Sequence, residues 1–248
     1  MKKIVLFVML LASILLMASA GSVLAEETIA FDEANAPFMY LNGDAVSGLY
    51  PVLVGEAFKR MNSDVKLECR PWNRVIAGAD AGNWGVGGIY KNADRLKKYD
   101  YSEPIFEEKL MIFVTKGGEF NFSGVNDLTG KSVGVMRGWS YGDDFDKAVA
   151  DGKVSKDEVE NDKLNFTKLI AGRVDAAIAS PETWSGLKAE MDPGGQVVML
   201  PTPLAVNNTY LIFNKSADKK AVLAKFNQII ESMKADGTVE KIAVESFK

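Results

Sequence analysis

The sequence predicts an α/β fold, and three observations predict it. Apolar runs of strand length alternate with segments of helical period along the chain. Several helix boundaries carry their own capping residues. About 223 residues remain once an N-terminal leader is set aside, enough for one large or two modest hydrophobic cores.

Lys2 and Lys3 precede an apolar run from Ile4 to about Ala18, and small residues follow to Ser22-Val23-Leu24-Ala25. This is the pattern of a secretory signal peptide, with cleavage expected after Ala25. The run is at the short end for a membrane span, and no later apolar run is long enough to cross. Cys69 is the only cysteine and lies far from the cleavage point, so no cysteine there can carry a lipid.

In the mature chain, Thr28 to Phe31 reads as a strand. Leu49, Val52, Leu53, Ala57, Phe58 and Met61 then repeat at three and four as a helix face, with Pro51 suited to the first turn. Val65, Leu67 and Cys69 alternate as a second strand, which makes Cys69 a core thiol. Further strands are expected at Lys109–Thr115, Ser132–Met136, Val174–Ile178, Gln196–Leu200 and Thr209–Asn214. Helices are expected at Ser140–Ala150, Phe166–Ala171, Pro181–Lys188 and Lys219–Asp236. Ser155 with Glu158 is a capping-box pattern, Asn165 can cap the helix that Gly172 ends, and Gly237 sits where the last long helix should stop.

Composition excludes several chemistries. The chain has no histidine, so histidine metal sites and histidine general bases are absent, and one cysteine cannot build a zinc cage or an internal disulfide. No cofactor or metal is expected. Removing Lys2 and Lys3 takes the formal net charge from −4 to −6, a poor match to nucleic acid or anionic membrane.

Six motifs in fixed order carry a resemblance. They are Asn35-Ala-Pro-Phe38, Gly48, Arg95 followed by Tyr101-Ser-Glu-Pro-Ile-Phe106, Leu128-Thr-Gly-Lys-Ser-Val-Gly-Val135 with Gly138, Ala171-Gly-Arg-Val-Asp-Ala-Ala177, and Lys234-Ala-Asp-Gly-Thr238. From Thr28 to the C-terminus the chain resembles the extracellular solute-binding proteins of family 3, periplasmic receptors that feed polar amino acids to ATP-driven importers. The resemblance implies a two-lobed, type II periplasmic-binding-protein fold, each lobe a mixed sheet flanked by helices. It would divide the chain into lobe one at 26–108 plus 207–248 and lobe two at 109–206, with hinge crossings near Glu107–Lys109 and Val206–Asn208. It also implies a periplasmic monomer that binds an amino acid or related carboxylate and docks on an inner-membrane ABC permease. The same-fold alternatives are a cyclohexadienyl or arogenate dehydratase, for which Glu182 or Lys91 could act as acid, and a stand-alone sensory receptor.

The site residues follow from the same resemblance. Arg95 would take the ligand carboxylate with its planar fork, assisted by Tyr90 and the backbone of Gly88; the alternative is surface pairing with Asp94, Asp100 or Glu103. Ser140 either touches the carboxylate or only caps a helix. Trp139 stands where the family has a small residue. Phe38, Trp72 and Tyr90 are wall or core aromatics, and Asp32 holds a polar side chain of the ligand or makes a turn. Amino-acid-binding relatives place an aspartate, which pairs the ligand ammonium, where this chain has Ser180. Ser180-Pro181-Glu182 also reads as a helix start, leaving Glu182 to supply the charge or the ligand to lack an ammonium.

Overall fold

The computed structural model describes residues 26–248. The leader and its cleavage after Ala25 lie outside the described residues.

The first half of the chain forms β1 (Glu27–Asp32), a small sheet of β2 (Ala34–Asn35), β3 (Met39–Asn42) and β4 (Ala45–Ser47), then α1 (Leu49–Arg60), β5 (Val65–Arg70), α2 (Trp72–Asp80) and β6 (Gly85–Tyr90). After α3 (Ala93–Lys98) and β7 (Tyr99–Tyr101), β8 (Phe106–Thr115) leads into β9 (Ser132–Met136), α4 (Asp143–Ala150), β10 (Ser155–Val159), α5 (Asp162–Ile170), β11 (Ala176–Ala179) and α6 (Pro181–Met191). The long β12 (Val197–Asn214), α7 (Lys220–Ala235) and α8 (Thr238–Ser246) end the chain.

The main sheet has the order β10-β9-β11-β8-β12-β6-β1-β5, with β7 also paired to β12. Both ends are parallel: β1 pairs β5 and β6, and β9 pairs β10 and β11. The middle is antiparallel, where β8 and β12 run together from Thr209↔Phe106 to Val197↔Thr115, with register shifts around Pro203. A proline has no N–H for the ladder, so an irregular register there is expected.

Two apolar cores lie on either side of that antiparallel middle. The first packs Ile29, Phe31, Leu53, Phe58, Phe226 and Ile230 between sheet and helices, and Phe58 meets Phe226 with ring centroids 6.1 Å apart. In the second, β8 alternates by the strand period of two. Leu110, Ile112 and Val114 face Val133, Val135 and Phe145, while Met111 and Phe113 face Phe166 and Trp184 on the other side. Burying each such side chain contributes about 1.5–3 kcal/mol. Cys69 packs against the first core, and burial pushes its thiol up to about 12.

Four local expectations change. Ser155–Val159 is a strand rather than a helix start, because Ser155↔Ser132 through Val159↔Met136 adds it to the parallel ladder as a charged edge strand. Residue Asn165 does not cap α5; Asn161 does, accepting from Leu164 N at 2.9 Å, and the Asn165 amide donates to the carbonyls of Gly134 and Ile178 at 3.2 and 3.4 Å. The helix expected from Ser140 begins at Asp143 behind Gly142. The two strands expected at 196–200 and 209–214 are one continuous strand, β12. Gly237, in the left-handed region at φ 77°, separates α7 from α8 as its position suggested.

Candidate functional site

Parallel strands of α/β sheets carry their ligand groups at their carboxyl ends. Here those ends converge from both cores on one cleft. Asp32 ends β1, Trp72 follows β5, Tyr90 ends β6, Gly138-Trp139-Ser140 follow β9, Asp162 follows β10 and Ser180 follows β11. The sides touch at several points: Trp139 Nε1 donates to Asp32 Oδ2 at 3.0 Å, Trp72 Nε1 to the Gly138 carbonyl at 3.1 Å, and Thr183 Oγ1 to the Ala36 carbonyl at 3.1 Å.

Arg95 enters the cleft from the first turn of α3. Asn92 caps that turn by accepting from Arg95 N at 2.8 Å. The guanidinium donates to the Tyr90 carbonyl at 3.1 Å and lies over the Trp72 ring, 5.7 Å from its centroid. Surface pairing is not what holds it: Asp94 pairs with Lys97 at 2.7 Å, and among the described residues Arg95 has no ion pair. Burial therefore lowers its pKa, and donors of its five-N–H fork stay open to an incoming acceptor.

Beside it, Gly88 is the extra residue of a β-bulge, since Tyr210 pairs with Ile89 and Leu211 with Gly87. Its φ of 76° favours glycine, and a Cβ there would overlap the Tyr50 ring. The bulge keeps Tyr50 in place, and Tyr50 in turn donates its hydroxyl to Glu108.

Across the cleft, Trp139 tilts on Trp72 with centroids 5.8 Å apart. The indole divides the space. A cavity of about 340 Å³ opens on the Asp32, Asn73 and Glu160 side, and another of about 300 Å³ on the Arg95, Ser140 and Asp146 side. Between them two small pockets remain, each leaving about 10 Å³ for the centre of a water-sized group. One is lined by Gly88, Tyr90, Arg95 and Ser140, the other by Asn35, Glu108, Asp162 and Ser180, and Trp139 borders both.

The second pocket is acidic without a cation. Glu108 is fully enclosed, accepts from the hydroxyls of Tyr50 and Tyr90 (2.6 Å for Tyr90), and is pushed by burial up to about 7. Burial likewise takes Asp162 to about 7, and Asp32 to about 6 despite bonds from Ala34 N and Trp139. None of the three forms an ion pair among the described residues.

Of the residues expected from sequence, Arg95, Tyr90, Gly88, Ser140, Trp139 and Trp72 border one pocket. Phe38 and Ser180 border the other, where Phe38 also stacks on Tyr50 at 5.8 Å. Ser140 is not a helix cap; its hydroxyl donates to Asp146 Oδ2 at 2.6 Å, because the helix starts three residues later. Ser180 is the cap of α6, accepting from Thr183 N at 2.9 Å. Glu182 is half-buried on that first turn and lines neither small pocket. Sequence reasoning missed Glu108, Asp162 and Asn35. Glu108 falls on the alternating face of β8 that continues through Leu110, Ile112 and Val114, which was a visible sign; nothing local marks Asp162.

The solved structures with this fold include an ancestral arginine-binding protein bound to arginine, at TM-score 0.76 and 24% identity, covering 91% of this chain and all of that one (100%). Another is an ancestral amino acid-binding protein, a precursor of cyclohexadienyl dehydratase, at TM-score 0.72 and 21% identity, covering 90% and 96%. Among curated relatives, the L-cystine-binding protein TcyJ of Escherichia coli is 22% identical over 214 residues, 85% of this chain and 78% of the relative. The ABC transporter arginine-binding protein 1 of the same species is 25% identical over 186 residues, 73% and 68%. The profile of the bacterial extracellular solute-binding proteins, family 3, matches residues 28–248, and the chain belongs to that family.

Proposed function

We propose that this chain is a receptor for a small carboxylate-bearing solute, an amino acid, which it delivers to an ABC permease. The observation that carries the reading is Arg95: a half-buried guanidinium with open donors that borders the same small pocket as Ser140. A carboxylate completes that geometry by two parallel charge-assisted bonds. Relatives that bind arginine or L-cystine support the class.

In this reading residues 26–108 with 207–248 form one lobe and 109–206 the other, supported by the partition of the two cores. The crossings near 107–109 and 206–208 absorb the hinge motion. Ligand bonds to Arg95 on one lobe and Ser140 on the other coexist only when closed, so binding shifts the population toward the closed form that the permease receives. The leader places the receptor in the periplasm after cleavage behind Ala25, as a monomer without a cofactor.

A thermal-shift screen over the common L-amino acids and dicarboxylates tests the reading. A ligand at one hundred times its Kd should add about 2.7 kcal/mol of stability, and Arg95→Ala should remove the shift. No shift by any of them in the native protein would sink the proposal.

One observation favours a second reading. A dehydratase needs a general acid near neutrality, and Glu108 and Asp162, each raised to about 7, border the cleft. Incubation with prephenate decides it: aromatic product, absent from the Glu108→Gln variant, would make the chain an enzyme.

A further inference from the structure

The inference rests on the amino-acid reading above and concerns the end of the ligand opposite its carboxylate. Ser180 is consumed by its own helix: its oxygen accepts from Thr183 N at 2.9 Å and its hydroxyl donates to Thr183 Oγ1 at 3.0 Å. It carries no charge, so it cannot neutralise an ammonium. Yet the pocket that Ser180 borders holds two carboxyls, Glu108 and Asp162, that have no basic partner among the described residues.

They differ in what they have left to offer. Glu108 already accepts from two tyrosine hydroxyls, Tyr50 and Tyr90. Asp162 is only 7% exposed, and its Oδ1 is enclosed without any hydrogen-bond partner. In the same pocket, at the end of β2, Asn35 is 3% exposed and its Nδ2 is also unpartnered. A half-turn of that amide presents its oxygen instead. Two enclosed polar atoms left unsatisfied in one pocket cost free energy that a ligand group could recover.

The size and charge select the group. The pocket leaves about 10 Å³ for the centre of a water-sized group, the size of –NH₃⁺. Glu108 and Asp162 line this pocket with no basic side chain beside them, Arg95 borders the neighbouring pocket, and Asp32 lies beyond Trp139 in the cavity that Arg137 also lines. Burial drives each of the three acids toward the neutral form, which an added cation would reverse.

We propose that Asp162 Oδ1, backed by Glu108 and closed over by Asn35, is the ammonium subsite of this receptor, standing in for the acid that position 180 lacks. Its ligands are then solutes with a primary ammonium a few bonds from the carboxylate that Arg95 holds, α-amino acids first. Because Asn35 ends β2 and Asp162 begins α5, on the two lobes of that reading, ammonium binding also helps hold the cleft shut.

Isothermal titration separates this from the underlying reading. L-Arginine and L-glutamine are paired with analogues that lack only the amino group, 5-guanidinopentanoate and glutaramate, and each is measured on the native chain, Asp162→Asn and Asp162→Asn/Ser180→Asp. Where an amino acid binds the native chain, Asp162→Asn should weaken it roughly 10- to 100-fold and leave its analogue unchanged. The double variant should recover most of that loss, since aspartate caps α6 as well as serine does and borders the same pocket. An amino acid bound equally by native chain and Asp162→Asn, or an amino acid and analogue weakened alike, overturns the subsite while the receptor reading stands. Tight binding of the analogues alone also overturns it, and failure of every carboxylate to bind removes both.

Discussion

Trp139 donates its indole N–H to the Asp32 carboxylate at 3.0 Å across the cleft, tying the loop after β9 to the end of β1. The same ring rests on Trp72 and borders both small pockets. Trp139→Phe keeps the apolar contact and loses the bond. It should cost about 1–2 kcal/mol in urea unfolding and raise the pKa of Asp32 further. Trp139→Ala should cost roughly 2–4 kcal/mol, since it removes ring packing as well. No loss in Trp139→Phe would mean the bond contributes nothing, and equal losses for the two variants would mean the ring packing adds nothing.

Buried acids give the free protein a pH dependence of definite sign. Asp32 is raised to about 6, and Glu108 and Asp162 to about 7, so between pH 5 and pH 7 the folded state binds more protons than the unfolded one. Stability should therefore fall as pH rises through that window and level off above it, by at most about 1.4 kcal/mol per pH unit for each group. Tyr50, Tyr90 and Glu182 surround Glu108, while Asn165 and Asp32 act on Asp162. Melting temperatures from pH 5 to pH 8 measure the slope; Glu108→Gln should flatten its upper part, and a melting point that climbs with pH would contradict the burial argument.

Gly88→Ala tests the bulge. A side chain at φ 76° is strained and would overlap the Tyr50 ring, so the variant should lose about 3 kcal/mol. Urea midpoints would register the change, and a loss under about 1 kcal/mol would show that Tyr50 moves freely.

Ser180→Ala distinguishes cap from contact. Loss of the bond to Thr183 N should cost about 1 kcal/mol of stability with little change in affinity for L-arginine or L-glutamine. A large affinity loss with unchanged stability would make the serine a direct ligand contact.

Arg95→Lys should be a poor replacement although it keeps the charge. Lysine lacks the planar fork and the stacking on Trp72, so affinity for a carboxylate should drop at least about tenfold. Titration with the same amino acids checks it; equal affinity would show that charge alone suffices there.

Local physics decided much of this protein from sequence. The helical stripe from Leu49 to Phe58, the alternation in Val65–Cys69, the serine-proline start of α6 and the glycine stop at Gly237 each rest on neighbours within a few residues. The motif singled out Arg95, and the fold brings it to the pocket that Tyr90, Gly88 and Ser140 also border. What sequence spacing could not reveal is what depends on distant partners. Ser155–Val159 is a strand only because β9 offers it a ladder, and Ser140 binds Asp146 because α4 begins one turn later. The acidic pocket is the clearest case: Asn35, Glu108, Asp162 and Ser180 come from four separate elements or their ends, and only folding desolvates them together. Sequence alone determined most of the strands and helices, whereas the setting of the buried acids was decided by tertiary packing, because burial sets both the company and the pKa of a carboxyl group.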